Sequence, residues 1–224
     1  GIPGLTVDRQ CGSGINAINL AAQAIWAGDG DIFVAGGVES MSRAPYLLDR
    51  PEKAYSPTPP RFRKSQLAPK EIGDPPMGIT AENLVEKYNI SREEQDAFSL
   101  QSQQKMARAM EEGRFEEQIV PIYIPTRKGE PIEFKVDEHP RPETTKEGLE
   151  KLPAVFLNGG TVTAGSSSGL NDAASVVVIM SREKANQLGI TPLAVVRAQA
   201  VAGVDPNIMG IGPVPATKKV LEKA

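Results

Sequence analysis

The sequence predicts an α/β protein with a layered core and a mostly helical insertion. A helical pattern over residues 13–27 is followed directly by a short, unbroken apolar run at residues 32–37. A second apolar run, at residues 174–180, follows a loop rich in glycine and serine. Short continuous apolar runs are typical of strands buried on both faces, and helices beside such strands indicate layers. Between the two runs lies mostly helical pattern of roughly a hundred residues, a usual size for a domain.

The composition excludes several classes of protein. The chain has 224 residues, of which 40% are hydrophobic and 24% are charged, as in ordinary globular proteins. Its net charge of -3 argues against a nucleic-acid or membrane-surface binder, and no apolar run is long enough to cross a bilayer. The single cysteine cannot form an internal disulfide, so we expect a cytoplasmic protein. With one cysteine and one histidine, no metal site is expected.

The first helix, over residues 13–27, is expected to be buried, because apolar residues cover nearly its whole circumference. The sequence AGDGD ends it, and IFVAGG then forms the first buried strand. The chain begins with GIPGLTVD, without a methionine, and it ends at TKKVLEKA inside a helical pattern. We therefore expect it to be a piece of a longer protein.

The middle of the chain has a different composition. Residues 45–76 are rich in proline and charge, which indicates a surface excursion. Helical patterns follow at residues 80–88 and 91–113, and Ser91 with Glu94 predicts a capping box at the start of the second helix. The sequences QIVPIYIP and PIEFKVDE flank an RKGE turn and predict a hairpin.

The core pattern returns after this insertion. Residues 174–180 predict a buried strand in the same sheet as residues 32–35. A helix ending near Gly189 follows, and the sequence LAVVRAQAVAG predicts a further core strand.

Cys11 has two interpretations from its surroundings. A lone cysteine is most often a small buried hydrophobe. Here, however, Cys11 immediately precedes a helix, whose N–H groups and dipole would stabilise a thiolate. Gly12 and Gly14 would let backbone amides approach a ligand or the oxyanion of a thioester on the cysteine. The residues alone leave nucleophile and inert thiol equally open.

Two other segments carry candidate groups. The loop TAGSSSG is an ordinary turn or a weak phosphate cradle, and it lacks the lysine of a P-loop. His139 precedes Pro140, which favours an extended surface segment, so we expect a loop residue rather than a catalytic base. Arg141 is by default a solvated charge.

Four stretches resemble the thiolase family, which comprises acetyl-CoA C-acetyltransferases and 3-ketoacyl-CoA thiolases. The stretch from Cys11, CGSGINAINLAAQAIWAGDGDIFVAGGVESMSRAPY, resembles the nucleophile segment of that family. MGITAENL and SREEQDAFSLQSQQKM resemble its loop domain. GTVTAGSSSGLNDAASVVVIMS resembles its coenzyme loop with the strand after it, and GIGPVPATKKVL its entry into the C-terminal half. These matches span essentially the whole chain in the right order.

The resemblance implies a thiolase-like layered α-β-α-β-α fold with an inserted, mostly helical loop domain. It implies domain boundaries within this chain. Residues 1–43 and 156–190 would belong to the N-terminal core, residues 44–155 to the inserted loop domain, and residues 191–224 to the start of the C-terminal domain. It further implies a homodimer or homotetramer, with the loop domain involved in the tetramer.

The resemblance also implies a chemistry, a ping-pong acyl transfer in fatty acid metabolism. Cys11 would form an acyl-enzyme, and coenzyme A or a second acetyl-CoA, as the second substrate, would then receive the acyl group; no permanently bound cofactor is implied. By motif position, the residues that would contact coenzyme A are Ser168, Ala164, Gly169, Phe156, Met77 and Arg141. Of these, Ser168 would contact the pantetheine arm, Phe156 and Met77 would line its tunnel, and Arg141 would meet the phosphates.

The sequence departs from the family pattern at several points. Pro76 stands where short-chain biosynthetic members often have histidine, which favours a degradative or broad-chain enzyme, and Asp8 replaces a usual asparagine. The family's GHP histidine, its second catalytic cysteine and its NEAF asparagine do not occur in these 224 residues. Two alternatives follow: a catalytically inactive acyl-CoA-binding or assembly module, or another cysteine-dependent condensing enzyme of the same fold. The long MGITAEN loop domain argues against the second.

Overall fold

The computed structural model describes residues 1–51 and 53–224. Within these residues the helices are α1 (Ser13–Ala27), α2 (Met77–Tyr88), α3 (Arg92–Glu111), α4 (Lys146–Glu150), α5 (Arg182–Leu188) and α6 (Pro213–Lys223). The strands are β1 (Ile32–Glu39), β2 (Leu47–Leu48), β3 (Phe62–Arg63), β4 (Ile122–Ile124), β5 (Ile132–Phe134) and β6 (Ala173–Met180). The chain divides into two compact units: the first comprises residues 1–74 and 170–224, and the second comprises residues 75–169.

The core of the first unit is the antiparallel pair of β1 and β6, packed against α1. Ile32 pairs with Met180 and Glu39 with Ala173, so the prediction that these two runs share a sheet is confirmed. Close packing of the helix on the sheet depends on glycine, because a Cβ added at Gly37 would lie 3.1 Å from the Gly14 Cα.

The apolar runs predicted that β1 and β6 are buried on both faces of the sheet, and this prediction is wrong. Only Ala35 of β1 is buried, and Val34 is 72% and Val38 is 79% exposed. Val34 is paired with Val178, which is also exposed, so both side chains lie on the same face of the sheet. The helix α1 packs against the β1–β6 pair, yet most of the apolar side chains of the pair remain exposed within the described residues.

The helix α1 is also less buried than predicted, because only part of its surface is covered. It spans the predicted residues and ends at Gly28, whose φ of 82° lies in the left-handed region. Its buried residues are Ala21 and Ala22, whereas Trp26 is 57% exposed. An apolar circumference can be buried on all sides, but the rest of this chain covers only part of the surface of α1.

The remainder of the first unit is less regular. The helix α5 begins at the capping residue Ser181, whose hydroxyl accepts from the Lys184 N–H, and it ends at Gly189 as predicted. Residues 193–203 form no strand, which corrects the expected core strand there. A strand requires a neighbour for its backbone hydrogen bonds, and no described strand pairs with this segment.

The second unit is built on α2 and α3. The predicted capping box at α3 is confirmed: the Ser91 hydroxyl accepts from the Glu94 N–H, and the Glu94 carboxylate accepts from the Ser91 N–H. The predicted hairpin is confirmed as the pair of β4 and β5. No helix among the described residues is long and apolar enough to cross a membrane.

Candidate functional site

Cys11 lies on an exposed turn that leads into α1. Its thiol is free. The Gly12 N–H donates to the Arg9 carbonyl at 3.0 Å, and the Ser13 hydroxyl accepts from the Arg9 N–H at 2.8 Å. The same hydroxyl donates to the Gln10 carbonyl at 2.7 Å. The neighbours of Cys11 thus bond to one another across it, and the turn holds the cysteine outward, at the surface.

The backbone around Cys11 has two further features. Gln10 has a φ of 50°, in the left-handed region that residues other than glycine rarely adopt. Such positions occur disproportionately at functional sites, where the surroundings hold them in place. In addition, Gly12 caps α1 without any side-chain hydrogen bond. The positive end of the helix dipole at Ser13 therefore lies next to the thiol, and the first turn of α1 contains no carboxylate that would neutralise it.

The candidate coenzyme loop, residues 164–169, is anchored by Thr163, which is fully buried. The Thr163 hydroxyl accepts from the N–H groups of Gly165 and Ser166 at 3.2 and 3.3 Å. The Ser166 hydroxyl accepts from the Thr163 N–H at 3.0 Å, and the Ser167 hydroxyl donates to the Thr163 carbonyl at 2.7 Å. The loop is therefore a closed hydrogen-bonded turn.

Ser168 differs from the two serines before it. It is exposed, and its hydroxyl has no hydrogen-bond partner among the described residues. Ala164, at the start of the turn, is also exposed, and Gly169 is half-buried at its end. Beneath the turn, a Cβ added at Gly165 would lie 2.6 Å from Leu149 and 2.7 Å from Leu152. The arrangement leaves one serine hydroxyl available to a ligand.

Met77 begins α2, and Phe156, which follows α4 in the sequence, packs on the first turn of that helix. A Cβ added at Gly78 would overlap the Phe156 ring, so the ring packs directly on the first turn of the helix. Gly78 is buried, whereas Met77 is 54% and Phe156 is 44% exposed. Each of these side chains thus exposes apolar surface to solvent within the second unit.

Arg141 lies on an exposed segment of the second unit. Its N–H donates to the Gln103 side chain at 2.8 Å, and its guanidinium donates to the Glu138 carbonyl at 3.0 Å. None of the ion pairs between described residues involves Arg141. His139 is exposed, and its backbone N–H donates to the Asp137 carboxylate at 3.1 Å.

The candidates therefore fall into two groups. Cys11 belongs to the first unit, and the six candidate coenzyme contacts belong to the second. Among the described residues, no cluster of three or more histidine, cysteine or carboxylate side chains has the arrangement of a metal site.

Sequence reasoning missed Glu82, a carboxylate on α2 that is only 6% exposed. It accepts hydrogen bonds from the Thr161 and Val162 N–H groups, immediately before the candidate coenzyme loop. The sequence shows only that Glu82 follows Gly78 by four residues on the same helix face, which by itself does not single out a functional carboxylate.

Comparisons with known proteins point to one family. Residues 1–183 match the model of the thiolase N-terminal domain. The acetyl-CoA acetyltransferase of Chromobacterium violaceum is 49% identical over 230 residues, which cover 99% of this chain and 57% of the relative. The solved acetyl-CoA acetyltransferase of Bacillus anthracis is 46% identical with a TM-score of 0.83, over 97% of this chain and 55% of that one. Human mitochondrial 3-ketoacyl-CoA thiolase is 41% identical with a TM-score of 0.85, over 99% and 56%. The chain thus spans a little over half the length of these relatives.

Proposed function

Because the chain belongs to the thiolase family, as its match to the N-terminal domain model shows, we propose that this protein transfers acyl groups of coenzyme A thioesters. The TM-scores of 0.83 and 0.85 also confirm the α/β thiolase fold expected from the sequence. The proposed reaction is the thiolytic cleavage of 3-ketoacyl-CoA or the reverse Claisen condensation of acetyl-CoA. The observation that carries the proposal is Cys11, an exposed free thiol at the start of a helix that no side chain caps.

The role proposed for Cys11 is that of the nucleophile. In thiolysis its thiolate attacks the 3-keto carbon, the bond between that carbon and the α-carbon breaks, and acetyl-CoA leaves after protonation of its α-carbon. An acyl thioester then remains on Cys11, and the deprotonated thiol of coenzyme A attacks its carbonyl carbon, so that the acyl group leaves as acyl-CoA and the Cys11 thiolate is released. The helix dipole at Ser13 favours the anionic thiolate.

The role proposed for the second unit is to bind coenzyme A. The free hydroxyl of Ser168 suits a hydrogen bond to the pantetheine arm, with Ala164 and Gly169 beside it. The exposed side chains of Met77 and Phe156 suit apolar contact with the same arm. Arg141, free of carboxylate partners among the described residues, suits the phosphates, which a guanidinium can bind through several donors.

Several finer features belong to the same proposal. Residues 44–155 would form the inserted loop domain, residues 1–43 and 156–190 the N-terminal core, and residues 191–224 the start of the C-terminal domain.

A homodimer or homotetramer is supported by exposed apolar residues of the hairpin, such as Ile122 and Ile132. A cytoplasmic location is supported by the free thiol of Cys11, and a role in fatty acid metabolism by the 3-ketoacyl-CoA thiolase among the similar structures.

Trapping the acyl-enzyme tests the proposal. The natural protein is mixed with acetyl-CoA and quenched in acid, and the peptide that contains Cys11 is analysed by mass spectrometry. We expect an acetyl group on Cys11, and we expect acetyl-CoA to slow the labelling of this thiol by iodoacetamide. The Cys11→Ala variant should fold normally, because the side chain is exposed, and should form no adduct. A Cys11 that never carries an acetyl group would refute the proposed nucleophile.

A further inference from the structure

Glu82 is a buried carboxylate whose hydrogen-bond partners all lie in one short segment. Its Oε1 accepts from the Thr161 N–H at 2.9 Å and from the Val162 N–H at 2.8 Å. Its Oε2 accepts from the Thr161 hydroxyl at 3.2 Å. None of the ion pairs between described residues includes Glu82. The hydrogen bonds from residues 161–162 thus offset the free-energy cost of removing this carboxylate from water.

The segment that Glu82 holds continues directly into the candidate coenzyme loop. Val162 is buried, and its carbonyl accepts from the Val155 N–H at 3.1 Å. Thr163 follows it, and the Thr163 hydroxyl and backbone groups bind the turn that ends at Ser167. A displacement at residues 161–162 therefore moves the whole turn, and with it the free hydroxyl of Ser168.

Two neighbouring residues fit this arrangement. A Cβ added at Gly160 would overlap the Glu82 carboxylate, so a glycine is needed there for the close approach. The Thr161 hydroxyl also accepts from the Gln95 side chain of α3 at 2.9 Å. The carboxylate on α2 and the amide on α3 thus fix the same threonine from two helices.

We propose that Glu82 is a positioning residue for coenzyme A, which holds residues 161–168 in the conformation that presents Ser168 to the pantetheine arm. This inference rests on the proposed function. Glu82 itself touches no substrate in this scheme and acts only through residues 161–162, by way of their two backbone N–H groups and the Thr161 hydroxyl.

Two substitutions separate this role from simple loss of stability. In Glu82→Gln, the amide oxygen can still accept from both backbone N–H groups, while the amide nitrogen replaces the oxygen that faces the Thr161 hydroxyl. In Glu82→Ala, both N–H groups lose their acceptor. The matched control is Glu86→Ala, one turn further along α2, where the side chain is exposed.

The experiment measures coenzyme A affinity by calorimetry in the natural protein, together with the rate of Cys11 acetylation at saturating acetyl-CoA. We expect Glu82→Ala to raise the Kd about tenfold, as expected when buried N–H groups lose a charged acceptor, while the saturated rate stays near the wild-type value. Glu82→Gln should recover most of the affinity, and Glu86→Ala should match the wild type. Amide exchange at Thr161 and Val162 should accelerate in Glu82→Ala.

The possible results are distinguishable. If the wild type does not bind coenzyme A, the proposed function and this inference both fall. If the wild type binds but Glu82→Ala retains its affinity, only the role of Glu82 falls. A variant that loses affinity and saturated rate together, without recovery in Glu82→Gln, would assign Glu82 a purely structural role and would also overturn the inference.

Discussion

Three consecutive serines, Ser166, Ser167 and Ser168, have different surroundings despite their identical side chains. The first two hydroxyls bond to Thr163 inside the turn, whereas that of Ser168 has no partner among the described residues. We expect Ser168→Ala to raise the Kd for coenzyme A several-fold, because the binding free energy loses the contribution of one hydrogen bond. The melting temperature should not fall. Calorimetry and thermal unfolding of the natural protein provide both measurements.

Ser167→Ala is the matched control for this prediction. It removes the hydrogen bond to the Thr163 carbonyl, so it should lower the free energy of unfolding by about 1 kcal/mol. Equal destabilisation by the two variants, or an unchanged coenzyme affinity in Ser168→Ala, would contradict the assignment of Ser168 as the free hydroxyl.

Asp172 links two segments of the first unit through hydrogen bonds to its carboxylate. Its carboxylate accepts from the hydroxyl and the N–H of Ser42, and from the Ser40 hydroxyl at 3.2 Å. The hydrogen bond from the Ser42 hydroxyl, followed by that from its N–H, lowers the pKa of Asp172 below its usual value. Because the folded state favours the charged form, the stabilisation is present above the unfolded pKa and is lost as pH falls through the lower folded pKa.

The corresponding prediction compares the wild type with Asp172→Asn during unfolding in urea. The difference in unfolding free energy should be largest above about pH 4 and should shrink as the pH falls below that value. Asp29→Asn, at an exposed aspartate on the turn after α1, is the control for the chemical change itself. A difference that stays constant down to acidic pH would show that the charge of Asp172 is not what stabilises the link.

At the scale of secondary-structure elements, the β1–β6 pair depends on Gly36. A Cβ added there would overlap the Ser175 carbonyl and would approach the Val176 Cα at 2.9 Å. These are backbone atoms of the partner strand, so they cannot move aside without disturbing the ladder. We expect Gly36→Ala to lower the free energy of unfolding by about 1–3 kcal/mol, measured in urea.

Gly203→Ala is the control for the strand variant, since a Cβ at Gly203 would meet nothing within 4 Å. It should change the free energy of unfolding by less than about 0.5 kcal/mol. Equal stability of Gly36→Ala and the wild type would mean that the two strands are not in the described close register.

Elements with local signals were predictable from the sequence. The capping box of α3 joins Ser91 to Glu94 within one helical turn, and both partners are visible in the sequence. The hairpin of β4 and β5 has a comparable local signal in its turn. The burial of β1 was not predictable, because an apolar run shows that a strand can be covered, and not that another segment of the same chain covers it.

At the scale of the whole molecule, the candidate site combines predictable and unpredictable parts. Cys11 could be named as a candidate because its signal, a cysteine between polar residues and a helix, is contiguous in the sequence, and its role as the nucleophile stays a prediction. Glu82 was not, because its partner Thr161 is 79 positions away and only the tertiary fold brings them together. Arg92 is a similar case: its guanidinium donates to the carbonyls of Leu149 and Leu152, which are 57 and 60 positions away in the sequence.

The activity of the 224-residue chain by itself depends on the acid and base groups that it contains. Thiolysis needs a base that deprotonates the nucleophile and a group that exchanges a proton with the α-carbon of acetyl-CoA. The sequence contains a single histidine and a single cysteine. His139 is exposed on a loop, and nothing in its sequence surroundings would fix its tautomer for the role of a base. We therefore expect residues 1–224, expressed alone, not to turn over acetoacetyl-CoA.

The assay follows the loss of acetoacetyl-CoA in the presence of coenzyme A, with circular dichroism to show that the chain is folded. A positioned base contributes about 10²–10⁴-fold to such a step, so the rate should remain close to that of the uncatalysed reaction. His139→Ala should leave this background unchanged. Robust turnover by the wild-type chain that is lost in Cys11→Ala would overturn the prediction. If His139→Ala also abolished that turnover, His139 would be the base despite its exposed position.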